Sequence, residues 1–370
     1  MVVPSQVPLE NKSEFRSSQR QWVAWALQRM EAEATRCGET PLLKFPLPEE
    51  YGIDLYLKDE SKQPTGSLKH RLARSLFVYA LCNGWLDKGT TIIEASSGST
   101  AVSEAYFARL LGLPFIAVMP RTTSKIKVER IEELGGSCHL IEDPSAIYSE
   151  SERLAKETHG VFLDQFTYAE RASEWAGDTN IASSVLAQMG KERFRVPRWI
   201  VIGAGTGGTS ATFGRHCRLA GFDTEICVAD PEGSAYAPAW ENKDLTVTAK
   251  GSRIEGIGRP RVEPSFIPEL IDSVVRVPDA ASIAAMRFCT NQLGQYVGGS
   301  TGTALWAALE KVEEMRRAGE RGSIVTVICD QGERYLDTYY NDEWVEDQEI
   351  NLSSYTEKLN ALVREHQNAA

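Results

Sequence analysis

A mostly parallel α/β architecture built in two lobes is the fold class this chain predicts, and three observations predict it. Short apolar runs alternate with helical patterns from Ile53 to Ile328, as β-α units with right-handed crossovers require. Two of those runs, Trp199-Ile200-Val201-Ile202 and Ile324-Val325-Thr326-Val327-Ile328, have the continuous hydrophobicity of strands covered on both faces. The length of 370 residues suits two packed domains.

The elements follow in order. Residues 1–13 read as a loose arm, and Glu14 to Arg36 as an amphipathic helix with Trp22, Ala26 and Met30 on one side. Ile53 to Leu57 alternates apolar and polar residues like a strand. Pro64 and Gly66 then mark a turn, and Ser67 is a good N-cap for a helix carrying Leu72, Leu76, Phe77 and Ala80. Strands are expected at 91–93, 115–119, 138–141, 161–163, 199–202, 226–228, 274–277 and 324–328. Helices are expected near 102–110, 126–134, 146–158, 169–189, 280–292 and 301–317. Residues 231–265 form a long irregular segment, which is usually functional or mobile. A last helix has the capping box Ser354-x-x-Glu357 and an apolar stripe of Tyr355, Leu359, Leu362 and Val363, read as a docking face. The expected division is an arm and helix over 1–50, a smaller α/β domain over 51–158, a larger one over 159–345 and a helical tail over 346–370.

Composition narrows the function classes. Hydrophobic content of 42% and charged content of 25% are those of a soluble enzyme. A net charge of −11, with no basic stripe, argues against nucleic acid as a partner. No apolar run approaches membrane-spanning length, and Met1 to Lys12 lacks the order of a signal peptide. The seven cysteines and five histidines show no metal-binding spacing, so no metal is expected. Unpaired, scattered thiols point to the cytoplasm.

Three strand-to-helix loops carry the chemistry. Lys69 stands in the first turn of its helix, where the dipole opposes a cation and favours a reactive neutral amine. The loop Gly203-Ala204-Gly205-Thr206-Gly207-Gly208-Thr209 has two readings. It fits a dinucleotide fingerprint, with Asp230 after the next strand, and it equally fits a phosphate cup of backbone N–H groups and hydroxyls. Tight packing alone is expected to explain one or two of these glycines, not four. The loop Ser96-Ser97-Gly98-Ser99-Thr100 could hold a carboxylate in the same way. An amine, a phosphate cup and a carboxylate cup together are what pyridoxal phosphate with an amino-acid substrate needs. A dinucleotide has no use for the lysine.

Pro64-Thr65-Gly66-Ser67-Leu68-Lys69-His70-Arg71 resembles the Schiff-base segment of the cysteine synthase / cystathionine β-synthase family, pyridoxal-phosphate enzymes of fold type II related in architecture to tryptophan synthase β. The likeness extends over roughly residues 37 to 340. It takes in Thr40-Pro41-Leu42, Lys58-x-Glu60, Ser96 to Thr100, Gln165-Phe166, Gly205 to Thr209, Gly256-Ile257-Gly258 and Gly332-Glu333-Arg334-Tyr335. It implies that Lys69 binds pyridoxal 5'-phosphate covalently and later carries the Cα proton. Gly205, Thr206, Gly207, Gly208 and Thr209 would bind the phosphate, and Ser96, Ser97, Thr100, Gln165 and Gly256 the substrate. Ser99 stands where the family usually has asparagine beside the ring hydroxyl. Gln331 stands where it has a serine facing the pyridine nitrogen, and Leu68 and His70 replace a common phenylalanine and aspartate.

A neutral partner at the ring nitrogen suits β-elimination or β-replacement. Residues 255–261 and Tyr339-Tyr340-Asn341-Asp342 resemble bacterial L-cysteine desulfhydrases of the family more than its synthases. The resemblance therefore implies breakdown of L-cysteine to sulfide, pyruvate and ammonia through an aminoacrylate, by a homodimer. Cysteine synthesis from O-acetylserine is the alternative. A nicotinamide-dependent dehydrogenase using Gly203, Gly205 and Gly208, and a non-catalytic subunit, are readings of other classes.

Overall fold

The computed structural model describes residues 9–367, with side chains from 18 to 362. Its first elements are α1 (Leu9–Cys37), β1 (Leu42–Phe45), β2 (Ile53–Asp59) and α2 (Lys69–Cys82). Then come β3 (Ile92–Ala95), α3 (Ser99–Leu111), β4 (Phe115–Pro120), α4 (Lys125–Glu133), β5 (Ser137–Ile141), α5 (Ile147–Glu157) and β6 (Val161–Phe162). They are followed by α6 (Gln165–Ala172), α7 (Ile181–Met189), β7 (Trp199–Gly203), α8 (Gly208–Ala220), β8 (Glu225–Pro231) and α9 (Tyr236–Asn242). The remainder is β9 (Ser273–Val277), α10 (Asp279–Leu293), α11 (Gly299–Ala318), β10 (Gly322–Ile328), α12 (Asp342–Asp347) and α13 (Ser353–Gln367).

The chain folds as two compact units, each assembled from separate stretches. One holds the residues up to Gly38 with Lys69–Gln165, the other Glu39–Leu68 with Phe166 onward. This corrects the sequential division at 51, 159 and 346, and strand pairing is the reason. β2 lies between β1 (antiparallel) and β10 (parallel), with Ile53 opposite Gly322 and Asp59 opposite Ile328. Residues 39–68 are thereby built into a sheet whose other strands come much later. That sheet runs β1-β2-β10-β7-β8-β9, and all its pairs except β1–β2 are parallel. The first unit has a four-stranded parallel sheet in the order β5-β4-β3-β6.

Central placement changes the meaning of β2's alternation. Every residue of β2 is buried, the polar ones included. Lys58, fully buried, gives its ammonium to Thr40 O, Ser184 Oγ and Gln188 Oε1 at 2.7–2.8 Å, which is what makes a cation tolerable there. Asp54 meets Lys44 at 2.9 Å.

Four other expectations need correcting. Helix α1 already begins at Leu9, so only residues 1–8 of the expected arm lie outside the described residues. The helix expected over 169–189 is two helices. Glu174 accepts from Gly177 N–H, and Asn180 caps α7 by accepting from Ser183 N–H at 2.9 Å, so a turn interrupts it. Helix α2 starts at Lys69 itself, while Ser67 forms an isolated antiparallel bridge with Asp330 two residues earlier. Finally, residues 231–265 are not featureless. They hold α9 and a bridge between Thr248 and Arg261, and Ala249 N–H donates to Pro260 O at 2.7 Å. At the other end α13 docks as its stripe suggests. Leu359 enters the core of the second unit, where burying a leucine contributes about 1.5–3 kcal/mol, and Tyr355 packs edge-on against Trp306. The side chain of Val363 lies outside the described residues.

Candidate active site

The peptide bond between Leu68 and Lys69 is one of the points where the chain passes between the two units. The loop before it is zipped by backbone bonds to the segment after β10. Leu68 N–H donates to Cys329 O at 2.8 Å, Gln331 N–H to Gly66 O at 3.1 Å, and Arg334 Nη2 to Thr65 O at 3.0 Å. Gly66 has φ +74°, which favours glycine, and a Cβ there would lie 2.6 Å from Gln331 Oε1 and displace that side chain. Gln331 and the turn leading into Lys69 are thus brought together. Beneath the turn, Glu60 accepts from Thr40 Oγ1 at 2.7 Å and from Gln63 Nε2 at 2.9 Å. Thr40, Lys58 and Glu60 are therefore scaffolding for the lysine's approach.

The glycine loop joins β7 to α8. Each of its four glycines is packed against the protein, which corrects the expectation that packing explains only one or two. A Cβ on Gly203 would lie 2.9 Å from Ile257 Cγ2, and one on Gly205 2.2 Å from Gly256 O. On Gly207, with φ +91°, it would lie 2.5 Å from Ser265 O, and on Gly208 3.0 Å from Ala169 Cβ. Gly256 is thus held against Gly205, and Tyr236 donates its hydroxyl to Gly205 O at 2.6 Å. Packing does not compete with anion binding, since both need a close, bare backbone. The 13-residue α8 presents helix-start N–H groups that lack intrahelical acceptors, a setting that favours a dianion. Among them Gly208 N–H is taken by Thr206 Oγ1 at 3.2 Å, and Thr209 lies in the first turn. The residues fit a phosphate.

They do not fit a ribose-binding acid. Asp230 lies inside β8, 1% exposed, and accepts from Ala237 N–H at 2.7 Å. Burial pushes its carboxyl up to about 6.

In the first unit, Ser96 to Thr100 connect β3 to α3. Ser96 Oγ accepts from Gly98 N–H at 3.2 Å, and Ser99 is the first residue of the helix. Thr100 donates its hydroxyl to Gln165 Oε1 at 2.7 Å. Gln165, 65 positions later in sequence, is brought onto the loop as the resemblance implies. A Cβ on Gly98 would meet nothing within 4 Å, leaving space above the loop.

Three groups of polar residues escaped notice in the sequence. Glu33 on α1 is 2% exposed, and its Oε1 meets His70 Nε2 at 3.0 Å, Cys37 Sγ at 3.0 Å and Tyr106 Oη at 3.2 Å. These hydrogen bonds tie the residue next to Lys69 to α1 and account for the gathering of carboxylate, thiol and imidazole. Asp330 and Tyr335 form a second group, Glu94 and Glu104 a third. The Glu33 bonds to His70 and Tyr106 and the Glu94–Glu104 pair join different elements, which no local pattern reveals. Arg259 and Arg261, within a segment singled out by resemblance, both bind the buried Glu263 carboxylate.

With this arrangement in view, the chain belongs to the pyridoxal-phosphate dependent enzyme family, whose profile matches residues 34–330. The fold is that of fold type II enzymes. It is similar to the solved structure of O-ureido-L-serine synthase, with TM-score 0.70 and 25% identity over 83% of this chain and 93% of that one. It is 57% identical over 335 residues to L-cysteine desulfhydrase Cds1 of Mycobacterium tuberculosis, covering 89% of this chain and 91% of that protein. It is 28% identical to cysteine synthase 1 of Neurospora crassa, covering 88% and 87%. No helix among the described residues is long and apolar enough to cross a membrane.

Proposed function

We propose that this protein is a pyridoxal-phosphate dependent carbon–sulfur lyase that converts L-cysteine and water to hydrogen sulfide, pyruvate and ammonia. The observation that carries the reading is the 57% identity to an L-cysteine desulfhydrase over 89% of the chain. The local geometry supports it, because each cup that the chemistry needs is built within one unit.

The cofactor, when bound, supplies the electron sink that lets the Cα–H bond break. Lys69 Nζ holds it and then accepts the Cα proton. The start of α8, from Gly205 to Thr209, binds the phosphate. Ser96, Ser97, Thr100 and Gln165 orient the substrate carboxylate, Gly256 borders the substrate, and Ser99 lies by the ring hydroxyl. Gln331 offers the ring nitrogen a neutral amide and not a charge. With that sink in place the β-thiol would leave as sulfide, and water would complete the release of pyruvate and ammonia.

Seven free cysteines, four of them buried, support a reducing compartment such as the cytoplasm. Trp25 on α1, 41% exposed, offers apolar surface to a second copy, in keeping with a homodimer. Light scattering in solution decides the latter.

The experiment is a competition at equal enzyme concentration: L-cysteine alone, then O-acetylserine with sulfide. Release of sulfide and pyruvate should be the faster reaction. Cysteine formation faster by more than about tenfold, equivalent to about 1.4 kcal/mol between the barriers, replaces this reading with the synthase one. The 28% identity to a cysteine synthase keeps that alternative in play.

A further inference from the structure

Two carboxyl groups lie in the core of the first unit directly under the Ser96–Thr100 loop. Glu94 is the residue of β3 before Ala95, and Glu104 is one helical turn beyond Thr100 on α3. Both are 0% exposed. Glu94 is built into the loop. Its Oε1 accepts from Ala95 N–H at 3.0 Å and its Oε2 from Gln165 N–H at 3.3 Å. One carboxyl therefore fixes both the start of the loop and the residue to which Thr100 bonds. The partner of the Glu104 carboxyl is Glu94, which meets it by a side-chain hydrogen bond as well as by its charge.

Two adjacent, fully buried carboxyls resist ionising together. The groups facing Glu94 are Glu104 from α3 and Asp164 from the segment after β6, both acidic. Glu94, with two N–H donors, is the better site for a charge, and Glu104, with none, is the better site for a proton. Burial, then the Asp164 charge, raises Glu94 to about 8, and burial, then the Glu94 charge, holds Glu104 well above the usual carboxyl range.

We propose that Glu94 and Glu104 are positioning residues that share protons beneath the substrate-carboxylate loop, so that deprotonation of the pair puts a negative charge under that loop and weakens carboxylate binding as pH rises. This deepens the proposed lyase reading and rests on it for the identity of the loop's ligand. At neutrality the pair is uncharged and the loop N–H groups are free to favour an anion. When the first proton leaves to bulk water the charge settles on Glu94, and the substrate carboxylate meets a like charge.

The test has two arms. In the first, infrared spectra of the enzyme as purified are recorded against pH. Wild type should show a protonated-carboxyl band that persists above pH 7 and is diminished in Glu104→Gln. Absence of that band from wild type overturns the proposal without recourse to any variant. In the second arm, L-alanine, which has the carboxylate but no leaving group, is titrated into the enzyme and followed by the cofactor's absorption. Wild-type affinity should fall roughly tenfold across the ionisation, the size of one unit charge acting over about 12 Å through an effective dielectric of about 20. Glu104→Gln replaces the carboxyl O–H that steadies a charge on Glu94 by a weaker amide donor, so it should show the fall at higher pH and raise KM for L-cysteine more than it lowers kcat. Superimposable pH profiles for wild type and variant overturn the proposal. Failure of the lyase reading looks different: no sulfide is released from L-cysteine by wild type, while the infrared result stands.

Discussion

Tyr335 donates its hydroxyl to Asp330 Oδ2 at 2.7 Å. Both side chains are buried, and Gly298 makes room for them, since a Cβ there would lie 1.9 Å from Asp330 Oδ1. Burial, then the Asp330 charge, holds the Tyr335 phenol well above its usual range, so it stays a donor at every working pH. Tyr335→Phe should cost about 1–3 kcal/mol, the penalty of a buried acceptor losing its donor. Urea unfolding of wild type and variant measures it. A loss below about 0.5 kcal/mol means that the pair is not a structural clamp.

Lys69 should carry the cofactor. Borohydride reduction followed by peptide mapping should place the label on the peptide containing Lys69. Lys69→Ala should lose turnover by a hundredfold or more, in the range of about 10²–10⁴ typical of a positioned proton carrier. Label on another lysine rejects the assignment.

Two glycines separate packing from substrate binding. Gly205→Ala drives a methyl into Gly256 O and should lower Tm and cofactor retention together, because overpacking typically costs about 1–3 kcal/mol. Gly98→Ala adds a methyl where nothing lies within 4 Å, so Tm should hold while KM for L-cysteine rises. Thermal melts and steady-state kinetics on the two variants suffice, and equal loss of Tm in both contradicts the contrast.

Glu33 should govern part of the acid limb of stability. Burial pushes its carboxyl up, but hydrogen bonds from His70, Cys37 and Tyr106 and the His70 charge outweigh burial and hold it below its ordinary value. A depressed acid stabilises the fold above its unfolded pKa, and that stabilisation is lost as pH falls from about 4.5 through the lower folded value. Glu33→Gln should be destabilised at pH 7, by about 1–3 kcal/mol, and lose less than wild type on going to pH 4. Denaturant midpoints at the two pH values check the sign.

The parallel α/β architecture was legible because buried parallel strands and helix faces leave periodic marks along the chain. The three strand-to-helix loops were legible for the same reason, since small residues and caps punctuate the pattern locally. What the sequence concealed is non-local. Nothing in Ile53–Asp59 tells that its neighbour will be Gly322–Ile328, or that Lys58 will find three acceptors to justify burial. Packing was credited with only one or two of the glycines at 203–208, because the backbone of Gly256 and Ser265 that presses on them is distant in sequence. Glu94 and Glu104 look like any solvated acids in a helical or strand pattern. Only the fold shows them fully buried.

The pairing of β2 with β10 also sets an order of events during synthesis. Ile53 emerges from the ribosome about 270 residues before Gly322, its partner across the sheet. At translation rates of about 5–20 residues per second, that delay is on the order of 15–50 s. Throughout it the nascent chain has made its lysine but not the strand that anchors the turn before it. The residues from Lys69 to Gln165 include a complete four-stranded sheet and can fold meanwhile. A message cut short before codon 322 thus yields a product that has the glycine loop but lacks the segment to which the turn before Lys69 is zipped.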